Sequence, residues 1–311
     1  QVITARAFAG KRYAVLGLAR SGLATVDALL AAGAEVVVWD SNDAAREKAA
    51  TAARGDRPRP NPSPEGEGLR IADLLDLDIS GFAGVVVSPG VPINRHPIAA
   101  KARDAGVPLI GDIELFAQAR AELPAHKVVG ITGTNGKSTT TALIHHILTT
   151  AGVPSLMGGN IGLPILAQQP LPAGGVYVLE LSSYQIDLTF SLACDVAVLL
   201  NITPDHLDRY DGFAGYAASK ARLFAMQRPG QAAVIATEDE PTREIAATLP
   251  APIAVSSASI GDQSRWPALQ GPHNAQNVAA AIAACAALAQ AKAAIEAGLA
   301  SYPGLPHRME R

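Results

Sequence analysis

The run Gly130-Ile-Thr-Gly-Thr-Asn-Gly-Lys-Ser138 lies between an apolar segment at 127–131 and a stretch of helical character at 139–150. A strand that turns through glycines into a helix needs a crossover to a parallel neighbour, so this feature constrains the fold more than any bulk property. The glycines at 130, 133 and 136 let backbone N–H groups close around phosphates. Lys137 supplies a cation for the β/γ oxygens, and Ser138 offers a hydroxyl to Mg²⁺. The first glycine falls one place earlier than in the usual loop, where Ile131 stands. The alternative, a glycine-rich turn that happens to contain Lys-Ser, is answered by context, since a strand before and a helix after both fit.

The same alternation runs along the rest of the chain. Segments 13–16, 35–39, 84–87 and 107–110 read as strands of a first series, with a helix over 23–32. Segments 127–131, 175–179, 196–200 and 232–236 read as strands of a second series, and the Ala-rich stretch 275–299 as one long helix or a helix pair. Strands alternating with helices predict an α/β fold with mostly parallel sheets. The pattern loosens over 115–126, which divides the chain into an N-terminal Rossmann-like domain, 1–114, and a P-loop NTPase-like central domain, 115–303. Residues 54–68, rich in Pro and Gly, read as a surface loop.

Composition excludes several classes. Hydrophobic residues make up 49% of the 311 and charged residues 17%, which suits buried cores and argues against disorder. The formal net charge of −3 gives no basic field, so a nucleic-acid partner is not expected. Cys194 and Cys285 sit in apolar stretches and read as small core residues in a reducing compartment. No apolar run reaches membrane-spanning length and no signal peptide opens the chain, so a cytoplasmic protein without membrane insertion is expected. The start at Gln1 and the polar end at 306–311 read as an incomplete protein.

Two further groups fall just past strand ends of the second series, where open α/β sheets place their ligands. Glu180 closes an apolar strand and precedes Leu-Ser-Ser-Tyr-Gln185; an acid there suits Mg²⁺, which needs hard oxygens. Asn201-Ile-Thr-Pro-Asp-His206-Leu-Asp-Arg-Tyr210 follows the next strand. His206 by itself is as well read as a hydrogen-bonded loop residue as a metal ligand. In the first series, Gly17-Leu-Ala-Arg-Ser-Gly22 resembles a dinucleotide fingerprint with Ala19 in the second glycine place, and Asp40 stands near the ribose-reading distance. Alone that turn suggests NAD, or no more than a tight turn; beside a second nucleotide site it suggests a nucleotide-linked substrate.

The phosphate loop, Gly158-Gly-Asn160-Ile-Gly162, the Glu180 and Asn201 runs, Gly271-Pro-His-Asn274-Ala-Gln-Asn277 and Gly304-Leu-Pro-His-Arg308 together resemble the Mur ligases along the whole chain. The pairing of Glu-Leu-Ser-Ser-Tyr-Gln with Gly-Gly-Asn-Ile-Gly favours the member that adds D-glutamate to UDP-N-acetylmuramoyl-L-alanine. The resemblance implies an ATP-dependent acid–amino-acid ligase of peptidoglycan synthesis, working through an acyl phosphate with two Mg²⁺ ions, on small molecules and as a monomer. It implies that Arg20, Ser21, Asp40, Ser41, Ser88, Pro89 and Gly90 hold the uridine diphosphate end, with Asn160 and Ser182 also contacting that substrate.

For ATP the resemblance implies Gly133, Thr134, Asn135, Gly136, Lys137, Ser138, Thr139, Asn274, Asn277 and Arg308. Ser138, Glu180, His206 and Lys220 match the metal positions, Lys220 carrying a carbamate, and Lys137, Lys220 and His206 match the catalytic ones. It also implies a third, glutamate-binding domain, to which 304–311 would be the start of a linker, so that residues 1–311 alone would form no amide bond. The alternatives are another Mur-type or folylpolyglutamate-type ligase, an NAD-dependent oxidoreductase read from the first domain alone, or a binding fragment without turnover.

Overall fold

The computed structural model describes residues 2–54 and 68–305. Residues 55–67 of the expected surface loop, and Arg308 with the rest of 306–311, lie outside them. Contacts divide the chain into two units. The first is Gln1–Leu123 with Leu163–Pro170 and Leu188–Ser191; the second is Pro124–Gly162, Leu171–Asp187 and Leu192–Arg311.

The first unit runs β1 (Arg12–Leu16), α1 (Arg20–Ala31), β2 (Glu35–Trp39), α2 (Asp43–Arg54), β3 (Leu69–Ile71), β4 (Gly84–Val87), α3 (Ile98–Asp104), β5 (Leu109–Ile110) and α4 (Asp112–Ala119). Its strands pair in parallel in the order β3-β2-β1-β4-β5. β4 is buried at all four positions, as a strand covered by helices on both faces must be. The chain direction across the sheet reverses at β1. Leu16 pairs with Trp39 on one side and Val87 on the other, so the turns after β1, β2 and β4 emerge side by side.

The second unit runs β6 (His126–Thr132), α5 (Lys137–Thr150), β7 (Ser155–Gly159), β8 (Gly175–Glu180), α6 (Ser183–Asp187), β9 (Val196–Leu199), α7 (Gly212–Ala225), β10 (Ala232–Ala236), α8 (Glu240–Thr248), β11 (Ile253–Val255), α9 (Pro272–Ala287) and α10 (Lys292–Ser301). The Ala-rich stretch is therefore a helix pair, broken at Ala289, whose φ is 61°. The sheet order is β11-β10-β9-β6-β8-β7, again all parallel. Leu143, Ile144, Ile147 and Leu148 recur on one face of α5 and are fully buried in the core, with Val278, Ala281 and Leu299 from α9 and α10. Each of the Leu, Ile and Val side chains contributes about 1.5–3 kcal/mol by leaving water. That anchoring fixes the N-terminus of α5 over the sheet. Ile131 pairs with Glu180, Gly159 with Glu180 and Thr132 with Leu199, so register alone brings the ends of β6, β7, β8 and β9 level.

Candidate active site

In the second unit the phosphate loop follows β6. Gly136 caps α5 at φ 83°, in the left-handed region, and a Cβ there would meet Asn277 Oδ1 at 2.3 Å. The backbone requires glycine, and any side chain there would displace Asn277. The loop is braced from the next crevice wall. Asn201 Oδ1 accepts from the Asn135 N–H (2.8 Å), Asn201 Nδ2 donates to the Asn135 carbonyl (3.1 Å), and the Thr134 N–H donates to the Asn201 carbonyl (2.9 Å). Asn201 Nδ2 also donates to Gln276 Oε1 (2.9 Å), and Gln276 Nε2 to Glu238 Oε2 (3.0 Å).

These residues open onto a cavity of about 650 Å³, lined by Asn135, Gly136, Asn201, Asn274 and Asn277 among others. Asn274 and Asn277 thus share this cavity with the loop residues Asn135 and Gly136. Thr139 lies in the first turn of α5, buried.

Three charged groups crowd the same loop. Lys137 Nζ donates to the Thr134 carbonyl (3.0 Å); burial lowers its pKa, with Glu180 and then Asp205 acting against that. Lys220, on α7, is 1% exposed and donates to the Gly133 carbonyl (3.0 Å) while lying 4.7 Å from the centre of the Tyr216 ring. Burial first and the Lys137 charge second push its pKa down to about 7, with Asp205 and Asp187 opposing. Glu180 is 2% exposed. Its Oε1 accepts from Asn160 Nδ2 (3.0 Å), and its Oε2 is buried with no hydrogen-bond partner among the described residues.

His206 lies in the loop between β9 and α7. It is half-exposed at φ 51°, with ring neighbours Tyr184 (5.1 Å) and Tyr216 (6.4 Å), and the Tyr216 ring is the one Lys220 also faces. Ser182 caps α6: its hydroxyl donates to Gln185 Oε1 and accepts the Gln185 N–H. Among the described residues no three His, Cys, Asp or Glu side chains gather as a metal cage. One carboxylate with an unpartnered oxygen, at a strand end level with the start of the loop that leads to Ser138, fits Mg²⁺, which takes few protein ligands and completes its shell from phosphates and water.

In the first unit the turns after β1, β2 and β4 bring Arg20, Ser21, Asp40, Ser41 and Ser88 to Gly90 to one edge. Asp40 Oδ2 accepts from the Leu18 N–H (2.7 Å) and Oδ1 from the Asn42 N–H (2.9 Å), so this carboxylate holds two turns together. Ser88 Oγ donates to the Gly17 carbonyl (2.9 Å). Gly22 packs so tightly that a Cβ would lie 1.9 Å from that same carbonyl oxygen. Asp112 lines a small pocket with Ser21, Thr25 and Ser88. Burial pushes its carboxyl up to about 6 despite backbone N–H groups at the start of α4 that act the other way, and its Oδ1 has no hydrogen-bond partner among the described residues.

A model of the Mur ligase middle domain matches residues 131–266. The chain is 65% identical over 312 residues to UDP-N-acetylmuramoylalanine–D-glutamate ligase of Sphingopyxis alaskensis, covering 99% of this chain and 68% of that one. It is 63% identical to the enzyme of the same name from Novosphingobium aromaticivorans, covering 100% and 68%. Among solved structures, UDP-N-acetylmuramate:L-alanyl-gamma-D-glutamyl-meso-diaminopimelate ligase from Neisseria meningitides superposes with a TM-score of 0.61 at 17% identity, covering 95% of this chain and 99% of that one. UDP-N-acetylmuramate-alanine ligase MurC from Thermotoga maritima gives 0.52 at 18%, covering 95% and 69%. These two likenesses concern the fold. The chain belongs to the Mur ligase family, within its UDP-N-acetylmuramoylalanine–D-glutamate ligase group.

Asn201, Gln276, Glu238 and Tyr216 escape the sequence reading of the site. Asn201 lies inside a recognised run, and Gln276 inside another, but their bracing of the loop depends on contacts across 66 and 75 residues.

Proposed function

We propose that this chain supplies the nucleotide and UDP-substrate sites of an ATP-dependent ligase that joins D-glutamate to UDP-N-acetylmuramoyl-L-alanine through an acyl phosphate in peptidoglycan synthesis. The observation that carries the reading is the grouping of Lys137, Lys220 and the half-satisfied Glu180 around one glycine turn. A free carboxylate is a poor acyl donor. Its oxygen attacks the γ-phosphorus, the bond to the β,γ-bridging oxygen breaks, and ADP leaves with that electron pair. The amine of D-glutamate then attacks the acyl carbon. The tetrahedral intermediate expels inorganic phosphate and the nitrogen loses a proton, leaving the amide.

Two anions must approach one another in the first step. The loop N–H groups and Lys137 hold the phosphates and spread the charge, in an orientation that the Asn201–Gln276 brace fixes beforehand. Asn274 and Asn277 take the adenine side, and the first unit's turns hold the uridine diphosphate, with Asn160 and Ser182 on the acceptor. Ser138, Glu180, His206 and Lys220 would hold Mg²⁺, two ions by this reading, which would neutralise charge between the phosphates and the incoming carboxylate. Lys220 serves as a carbamate: its neutral amine adds to CO₂, forming an N–C bond and losing a proton, which exchanges a cation for an oxygen-bearing anion. We place the enzyme in the cytoplasm as a monomer.

Calorimetry with Mg·ATP and, separately, with UDP-N-acetylmuramoyl-L-alanine tests the division of labour. Lys137→Ala weakens only the first ligand and Asp40→Ala only the second. Unchanged affinity in both variants overturns it.

A further inference from the structure

Asp187, the last residue of α6, has appeared so far only as a charge acting on Lys220, yet three side chains close on it. Its Oδ2 accepts from the Tyr210 hydroxyl (2.8 Å), its Oδ1 from the Ser219 hydroxyl (2.6 Å), and its carbonyl from Arg222 Nη1 (3.2 Å). Hydrogen bonds to a charged acceptor are the strong ones. Burial raises the Tyr210 phenol well above its ordinary range, the Asp187 charge acting in the same direction, so that group stays a donor.

What these bonds hold is more telling than their number. Ser219 immediately precedes Lys220 on α7, and Tyr210 closes the loop that carries His206. The other end of that loop is pinned where the Ile202 N–H meets Asp239 Oδ2 (3.0 Å) and the Thr203 N–H meets Thr134 Oγ1 (3.0 Å) of the phosphate loop. Between the two pins His206 adopts its left-handed φ, which persists in a non-glycine residue only where the surroundings over-determine it. The Tyr210 ring adds to that enclosure, lying 6.1 Å from Tyr184 and 5.5 Å from Tyr216, the two rings that flank His206.

We propose that Asp187 is a positioning residue which, through Tyr210 and Ser219, sets the His206 loop and the Lys220 turn in register with the phosphate loop. The inference rests on the reading that His206 and Lys220 act on the metal-bound nucleotide. It assigns Asp187 no contact with the reacting atoms.

The test compares Tyr210→Phe and Asp187→Asn with the parent chain, using a non-hydrolysable ATP analogue in calorimetry across a Mg²⁺ titration, alongside amide hydrogen exchange of 201–211. Both substitutions are expected to raise the Mg²⁺ concentration for half-maximal binding about 10-fold. Exchange in the loop should speed up while α5 and β6 keep their protection. A lowered melting temperature with unaltered Mg²⁺ dependence and loop exchange reduces Asp187 to a packing role and overturns the proposal. Should Asp187→Asn fail to fold, Ser219→Ala removes a single arm, and an unmoved Mg²⁺ requirement there overturns it equally. His206→Ala separates the layers. If it leaves the Mg²⁺ dependence unchanged, the reading of the site fails; if it shifts while Tyr210→Phe does not, only the positioning role fails.

Discussion

The two crevices sit at the same place on two parallel sheets but spend their polar groups differently. In the first unit they are committed: Asp40 is tied to the N–H groups of Leu18 and Asn42, and Ser88 to the Gly17 carbonyl. In the second they are left unbalanced, with the part-buried Lys137 close enough to depress the buried Lys220, and a buried carboxylate oxygen without a partner among the described residues. A rigid backbone cradle suits a ligand that is held throughout. Electrostatic imbalance suits one whose own charges complete the site and change during reaction. The comparison teaches that a shared topology leaves open which kind of crevice forms, and that the side chains after the strand ends decide it.

The largest expected effect lies in the unbalanced crevice. Lys137→Ala should lower ligase turnover about 10⁴-fold, the scale on which a cation facing a transferring phosphoryl group acts, with an unchanged circular dichroism spectrum. Near-normal turnover would remove the charge argument. Lys220→Ala should cost about 10³-fold and recover with a short carboxylic acid that fills the gap. Failure of any carboxylate to restore turnover would return Lys220 to a neutral packing role.

A third expectation tests whether the first unit hides an imbalance of its own at Asp112. Its folded pKa is raised from 3.8 to about 6, so the folded state holds the extra proton between those values. The associated stability is complete below about pH 4 and is lost as pH rises through about 6, at most about 3 kcal/mol. Asp112→Asn, neutral throughout, should therefore unfold later than the parent at pH 7.5 and no later at pH 4. Denaturant melts at the two pH values check this, and an equal difference at both would mean that the carboxyl does not titrate in that window. The smallest effect belongs to the committed crevice. Asp40→Ala should weaken UDP-N-acetylmuramoyl-L-alanine about 10-fold by loosening two turns that the carboxylate ties together. Unaltered affinity would show that the backbone cradle holds without it.

The sequence was legible where burial leaves a mark. The inner strands at 84–87, 175–179 and 232–236 are unbroken apolar runs because both faces are covered, and each appears in the structure. The strands it does not disclose, β3, β7 and β11, all lie at sheet edges. β3 and β11 are mostly exposed, and β7 ends in two glycines, so none carries an apolar signature. The loop residues of the site were legible because phosphate chemistry demands glycine, lysine and a hydroxyl in a short span. The braces were not: nothing in the local sequence marks Gln276 or Asp187 as a partner of residues far away. The returns of 163–170 and 188–191 to the first unit are equally silent, being short segments between elements of the second.

The strand order of the second sheet has a consequence for synthesis on the ribosome. β6 is made first yet ends in the middle, and β7, made next, is not its neighbour; β8 must slot between them and β9 must close the other side. From the end of β6 to the end of β8 is about 50 residues, a few seconds of translation. For that interval Val128, Val129 and Ile131 lack the strand that later shields them, which makes this the stage at which a nascent chain has most need of a chaperone and at which slower codons would leave it longest open to mispairing.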